Sequence, residues 1–206
     1  MKKFNLPIYS AIYKEFAGLE STESCTVVTE HLPDEPGILI LHGGSDIATS
    51  IYGEYPNGAH SQFELTSRDT IEVSLWEQAQ EKGTIIVGIC RGAQLACALS
   101  GGSLHQDIRY HNSGEHKVNI LGSTKRMTTN SYHHQAMKLP KDAKLIANST
   151  DGVVEMAVCH RTRSFMIQGH PEWMHDTDPY YLFFLEQLHK FVNECTWKED
   201  EKETGT

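Results

Sequence analysis

The 206-residue sequence has no apolar run approaching the roughly 20 residues that a membrane-spanning helix needs. Its opening stretch, "MKKFNLPIYSAIY", has too short and too polar an apolar part for a secretory signal. A soluble, cytoplasmic protein with no membrane partner is therefore the expectation. Positive charge is scarce as well. Eighteen Lys and Arg stand against 27 Asp and Glu, and the net charge of −9 disfavours nucleic acid as a partner. The 12 histidines offset that charge only in mildly acidic surroundings. The five cysteines (Cys25, Cys90, Cys97, Cys159 and Cys195) are odd in number and form no CxxC pair, which argues against a disulfide framework or a zinc knuckle. Most are expected to be reduced, small apolar side chains. No internal repeat and no Gly/Ser linker divides the chain. Length favours a single domain, placed at residues 1–195, followed by a charged, aperiodic tail at 196–206.

What is present is an alternation of short apolar runs with amphipathic segments. That pattern predicts an α/β fold with an open, mostly parallel sheet in three layers, helices covering both faces. "PIYSAIY", "CTVV", "GILILHGG" and "TIIVGIC" read as strands, and the last two are apolar on both faces, as central strands are. From Ser67, helical spacing at Ile71, Val73, Leu75, Trp76 and Ala79 predicts a helix that Gly83 stops. Between Gly101 and about Asn119 the chain is polar and predicts a long surface loop carrying His105, His111 and His116 as surface histidines. "MTTNSYHHQAM", "KLIANS", "GVVEMAVC" and "SFMIQGH" predict short strands, and "DPYYLFFLEQLHKFVNEC" a closing helix.

Chemistry is concentrated at the junction "GICRG". A side chain on a tight strand-to-helix turn projects at the carboxyl edge of the sheet, where open α/β folds place ligands. Gly88 and Gly92 remove the Cβ atoms that would obstruct the turn. A thiolate at Cys90 gains from the dipole of the helix that starts near Arg91. "IQGHPEW" supplies a base and a group to orient it: His170 and Glu172 are two apart, and in extended backbone they point to one side. The pair follows the apolar "SFMI" as Cys90 follows "TIIVGI". A third segment, "ILILHGGSD", ends a strand in Gly43 and Gly44. There a backbone amide can approach a substrate closely, so the N–H groups of Gly44 and Arg91 are the candidate oxyanion hole.

"GICRGAQL", "QGHPEW" and the Gly-Gly together resemble the class I glutamine amidotransferase superfamily. "HGGSDIATSIYGE", "RDTIE", "GGSLHQDI" and "NSYHHQA" resemble, more narrowly, its γ-glutamyl hydrolase-like branch, peptidase family C26, in consistent order over most of residues 37–175. The resemblance implies a flavodoxin-like α/β sheet, with Cys90 as nucleophile, His170 as general base and acid, and Glu172 as orienting carboxylate. It places Gln94, four residues after Cys90, near the glutamyl group, and Gly43, Ser131, His133, His134 and Gln135 near the substrate. For "HHQ" a structural loop or a weak metal site is the alternative, although adjacent histidines in a strand face opposite ways and rarely chelate together.

The chain departs from the pattern in three places. Its part before Gly37 is short for this branch and lacks the usual opening strand pattern, which leaves that side of the pocket trimmed or supplied by a partner. Thr49 stands where relatives often have Pro, and His105 where Tyr is usual. The implied activity is hydrolysis of a γ-glutamyl amide, glutamine or a γ-glutamyl amine, through a γ-glutamyl thioester, with neither metal nor organic cofactor. One alternative is a glutaminase that feeds ammonia to a separate synthase; self-association is equally compatible. A non-enzymatic alternative is a thiol sensor or chaperone, which would need neither the HPE pair nor Gln94.

Overall fold

The two segments that are apolar throughout lie at the centre of a sheet. In the computed structural model, which describes residues 3–14, 18–57, 60–112 and 114–203, β3 (Ile38–Leu41) and β4 (Ile85–Ile89) are buried along their whole length. They pair in parallel with Leu41 opposite Gly88. β1 (Ile8–Ala11) extends the sheet beside β3, and β2 (Cys25–Val28) forms its edge. On the other side of β4 lies β11 (Ser164–Ile167), also parallel, with Ile167 opposite Ile89. The strand ends that carry Cys90 and His170 are therefore neighbours.

Beyond β11 the sheet continues antiparallel through β10 (Val154–Cys159), β9 (Lys144–Ser149), β6 (Glu115–Ile120) and β7 (Arg126–Asn130). The nine-stranded order is β2-β1-β3-β4-β11-β10-β9-β6-β7. β5 (Ser103–His105) and β8 (Ala136–Lys138) form a separate two-stranded ribbon. One face of the sheet packs Phe165 against Phe184, Leu188 and Phe191 of α3 (Pro179–Glu203). The other face packs Leu39, Leu41 and Ile86 against Leu75 and Ala79 of α1 (Ser67–Glu81) and Leu95 and Ala96 of α2 (Arg91–Leu99). Each such buried Leu, Ile or Phe side chain contributes about 1.5–3 kcal/mol of transfer free energy. The α/β class, with helices on both faces, is as the sequence predicts. No described helix is long and apolar enough to cross a membrane.

α1 starts where Thr66 and Asp69 form a reciprocal capping box. Its buried face differs from the expected stripe: Leu75 and Ala79 are fully covered, but so are Asp69 and Glu72. β1 and β2, the strands expected at "PIYSAIY" and "CTVV", complete the parallel edge. Two other expectations need correction. The segment 101–119 is not a surface loop, since it contains β5 and the start of β6; His111 is only 3% exposed and His116 is half-buried. The closing helix runs through Glu203, into the stretch expected to be a tail, while residues 204–206 lie outside the described ones.

Candidate active site

Cys90 stands between β4 and α2 with φ 50° and ψ −108°, a strained conformation for a residue with a side chain. Close packing holds the turn. A Cβ at Gly92 would lie 2.0 Å from the Leu41 carbonyl oxygen, so only glycine lets α2 sit against β3 there. The Cys90 N–H donates to the Ile167 carbonyl (2.8 Å), which ties the elbow to the strand that leads to His170. Cys90 lines a cavity of about 430 Å³ together with Tyr13, His42, Gly43, Gly44, Tyr132, His170, Glu172 and Trp173.

His170 is reached from β11 through Gln168 and Gly169. Its backbone is clamped by Asn130, whose side chain accepts from the His170 N–H (2.7 Å) and donates to the His170 carbonyl (2.8 Å). Nδ1 of His170 lies 2.7 Å from Glu172 Oε1. The contact is made by a 3-10 turn, Pro171–Trp173, rather than by the extended backbone the sequence suggested. The turn also stacks the Trp173 ring on the imidazole, 3.9 Å between centroids and 5° from parallel. Burial alone would lower the His170 pKa, but hydrogen bonds and charge from Cys90 and Glu172 outweigh it and raise the pKa to about 9. An imidazolium held between a sulfur and a carboxylate is the consistent description.

The Gly43–Gly44 segment is fixed by a residue that the sequence did not single out individually. Arg68 of α1 donates from Nη2 to the His42 carbonyl (2.9 Å) and from Nη1 to the Gly43 carbonyl (3.0 Å), while its Nε is held by Glu72 (2.9 Å). Across a trans peptide, C=O and N–H point opposite ways, so the amides of Gly43 and Gly44 face away from Arg68. At Gly43 a Cβ would lie 2.6 Å from His170 Cε1, which closes the position to other residues. The Arg91 side chain is buried beneath this loop, bound to Asp69 (2.5 Å) and to Glu72. The "RDTIE" stretch thus supplies Arg68, Asp69 and Glu72 to one ion-pair network under the elbow.

The structure brings Cys90, His170, Glu172, Gly43 and Gly44 to one cavity, and the remaining candidate side chains are not among those that line it. Gln94 is buried, with Nε2 donating to the Gln135 carbonyl (3.2 Å) and to Gln168 (3.3 Å). The Ser131 hydroxyl donates to the His111 carbonyl (2.7 Å). Gln135 donates to Ser61 (3.0 Å) and to the Gln106 carbonyl (3.3 Å). His133 and His134 face opposite ways, as neighbours in extended chain do: His134 lies 2.9 Å from Asp46, and His133 turns inward, where burial pulls its pKa down to about 3. Tyr13, His42 and Tyr132 line the cavity as well; His42 and Tyr132 lie inside the "HGG" and "NSYHHQ" stretches without having been singled out there, and Tyr13 lies outside both.

The architecture is that of the glutamine amidotransferases: a solved glutamine amidotransferase from Thermotoga maritima superposes with a TM-score of 0.60 at 18% identity, covering 97% of this chain and 85% of that one. Residues 27–172 match the profile of the peptidase C26 family, and the chain belongs to that family. Among its curated relatives is protein NtpR of Enterococcus hirae, 34% identical over 70% of each chain. Another is the γ-glutamyl-γ-aminobutyrate hydrolase of Escherichia coli O157:H7, 27% identical over 72% of this chain and 68% of the relative.

Proposed function

We propose that the chain is a cysteine-dependent hydrolase of γ-glutamyl amides that works through a γ-glutamyl thioester. The observation that carries this is Cys90 on its strained elbow, lining one cavity with a His170 that Glu172 holds at 2.7 Å. The Cys90 thiolate attacks the γ-carbonyl carbon, a C–S bond forms, and the carbonyl π pair moves onto oxygen. The N–H groups of Gly44 and of Arg91, at the start of α2, receive that oxyanion. One such donor is worth about 2.7–4 kcal/mol of transition-state stabilisation. Collapse breaks the C–N bond as His170 delivers its Nε2 proton to the leaving nitrogen, which departs as ammonia or an amine. Water then gives a proton to His170 and attacks the thioester; the C–S bond breaks and glutamate leaves.

The resemblance puts Gln94, Ser131, His133 and His134 near the glutamyl end, and the polar side chains of Tyr13, His42 and Tyr132 line the cavity itself. Recognition of the glutamyl end is strict and that of the amine loose. The test is glutamate release from glutamine and from a panel of γ-glutamyl amines by the purified chain. Several γ-glutamyl amines should be cleaved faster than glutamine, the matching aspartyl amides not at all, and Cys90→Ala should abolish turnover with an unchanged circular dichroism spectrum. Equal release by wild type and Cys90→Ala would overturn the assignment. Turnover of glutamine alone, and only with a second protein present, would replace it with the synthase-coupled glutaminase.

A further inference from the structure

A second group of titratable side chains lies outside the cavity, and the proposed chemistry does not use it. Glu155 of β10 is fully buried, and neither of its carboxylate oxygens has a hydrogen-bond partner among the described residues. Three imidazoles converge on its Oε1: Nε2 of His116 at 2.8 Å, Nδ1 of His111 at 3.7 Å and Nε2 of His133 at 4.0 Å. The rings of His111 and His116 are 4.7 Å apart, and those of His111 and His133 are 4.9 Å apart.

The outer hydrogen bonds decide which nitrogens are bare. His133 Nδ1 lies 2.8 Å from the Gln135 carbonyl oxygen, which can only accept, so Nδ1 carries the proton and Nε2 presents a lone pair. His111 Nε2 lies 3.1 Å from the Asp151 carboxylate, so Nε2 carries the proton and Nδ1 presents a lone pair. Both of these nitrogens lie near the Glu155 carboxyl group, yet neither they nor its oxygens have a hydrogen-bond partner among the described residues. His116 Nε2 is close to Glu155 without hydrogen-bond alignment. Ligands of one ion aim at the ion and not at each other, which leaves pairs that are near but misaligned. Around a tetrahedral zinc with bonds of about 2.0–2.1 Å, ligand atoms lie about 3.3 Å apart. The three distances to Oε1 bracket that separation. His–carboxylate and His–carbonyl hydrogen bonds are also the outer partners that metal-bound imidazoles use.

We infer that His111, His116 and Glu155, whose ligand atoms all lie within 4.8 Å of one another, form a structural site for a zinc-class divalent transition-metal ion, with His133 beside it. Two imidazole nitrogens and one carboxylate oxygen, with water in the fourth position, suit such an ion and not calcium or magnesium. The charge of Glu155 together with that of Asp151, one shell out, balances a dication. The ion clips β10, β6 and the segment carrying His111 together. That clip backs the active site, because the Gln168 N–H donates to the Glu155 carbonyl (2.9 Å) two residues before His170.

The test is metal content of the tag-free, dialysed chain by inductively coupled plasma mass spectrometry, followed by chelation and reconstitution with Zn²⁺ or Co²⁺. Wild type should hold about one ion per chain, lose thermal stability on chelation, and with Co²⁺ show the intense visible absorption of four-coordinate cobalt. Glu155→Gln and His116→Gln should lose ion and absorption, and Cys90→Ala should keep both. If the isosteric variants fail to fold, the wild type decides alone. A chelated wild type that keeps its fold and takes up neither Zn²⁺ nor Co²⁺ would overturn the site and leave a proton-sharing cluster. Loss of the ion in Cys90→Ala would overturn it too, by moving the metal to the cavity.

Discussion

Two buried histidines, His170 and His133, stand on opposite sides of one wall and are displaced in opposite directions, His170 up to about 9 and His133 down to about 3. Both lose solvation on burial. The difference is company: His170 sits between the Cys90 sulfur and the Glu172 carboxylate, whereas His133 donates to a carbonyl and faces His111 and His116. Burial of an imidazole therefore does not fix its chemistry; the charges that burial brings with it do. One environment favours a proton ready for transfer, the other a neutral ring.

The comparison is broken most severely at Glu172. Replacing it by Gln keeps a hydrogen-bond acceptor for His170 Nδ1 but removes the charge that holds the imidazolium. Turnover should fall by about 10³–10⁴-fold, while a glutamine-mimicking chloroketone should still label Cys90. Intact mass after labelling is the check, and an unlabelled thiol would contradict a purely orienting role.

A smaller loss is expected at Arg68, which touches neither Cys90 nor His170 in any hydrogen bond described. Arg68→Lys keeps the charge but cannot span the His42 and Gly43 carbonyls while also meeting Glu72. With the loop unclamped the Gly44 amide loses its aim, and kcat should fall by about 10–100-fold with little change in KM. A change confined to KM would assign Arg68 to substrate binding instead.

These residues also show what sequence could disclose. The elbow was legible because its parts are local: Gly88, Cys90 and Gly92 lie within five residues, and His170 and Glu172 within three. Parallel pairing of β4 with β11 then makes neighbours of two strand ends that had each announced themselves. The histidine cluster was illegible for the converse reason. His111, His116, His133 and Glu155 come from four segments with no ligand spacing in the chain, and a polar stretch rich in His, Asn and Gly has the composition of a surface loop. Arg68, Asp69 and Glu72 were hidden by charge, because a helix face carrying three ionic side chains reads as solvated until Arg91 is found buried against it.

The smallest effect expected is on stability, and its sign follows from the direction in which the His170 pKa is displaced. A histidine whose folded pKa is raised from 6.5 to about 9 contributes stability that is fully present below pH 6.5 and is lost as pH rises through about 9. The contribution is at most about 3 kcal/mol, since a tenfold change in proton affinity corresponds to about 1.4 kcal/mol and the partners share it. Urea unfolding of wild type and of His170→Asn across that window isolates it. The unfolding free energy of wild type should fall more steeply toward alkaline pH than that of the variant, and the gap between them should close above about pH 9. Nuclear magnetic resonance titration of His170 gives the same quantity directly: its midpoint should drop in Cys90→Ala and again in Glu172→Gln, because each change removes a group that stabilises the imidazolium. An unchanged midpoint in both variants would mean that the two partners do not hold that proton, and the contrast with His133 would then have to rest on solvation alone.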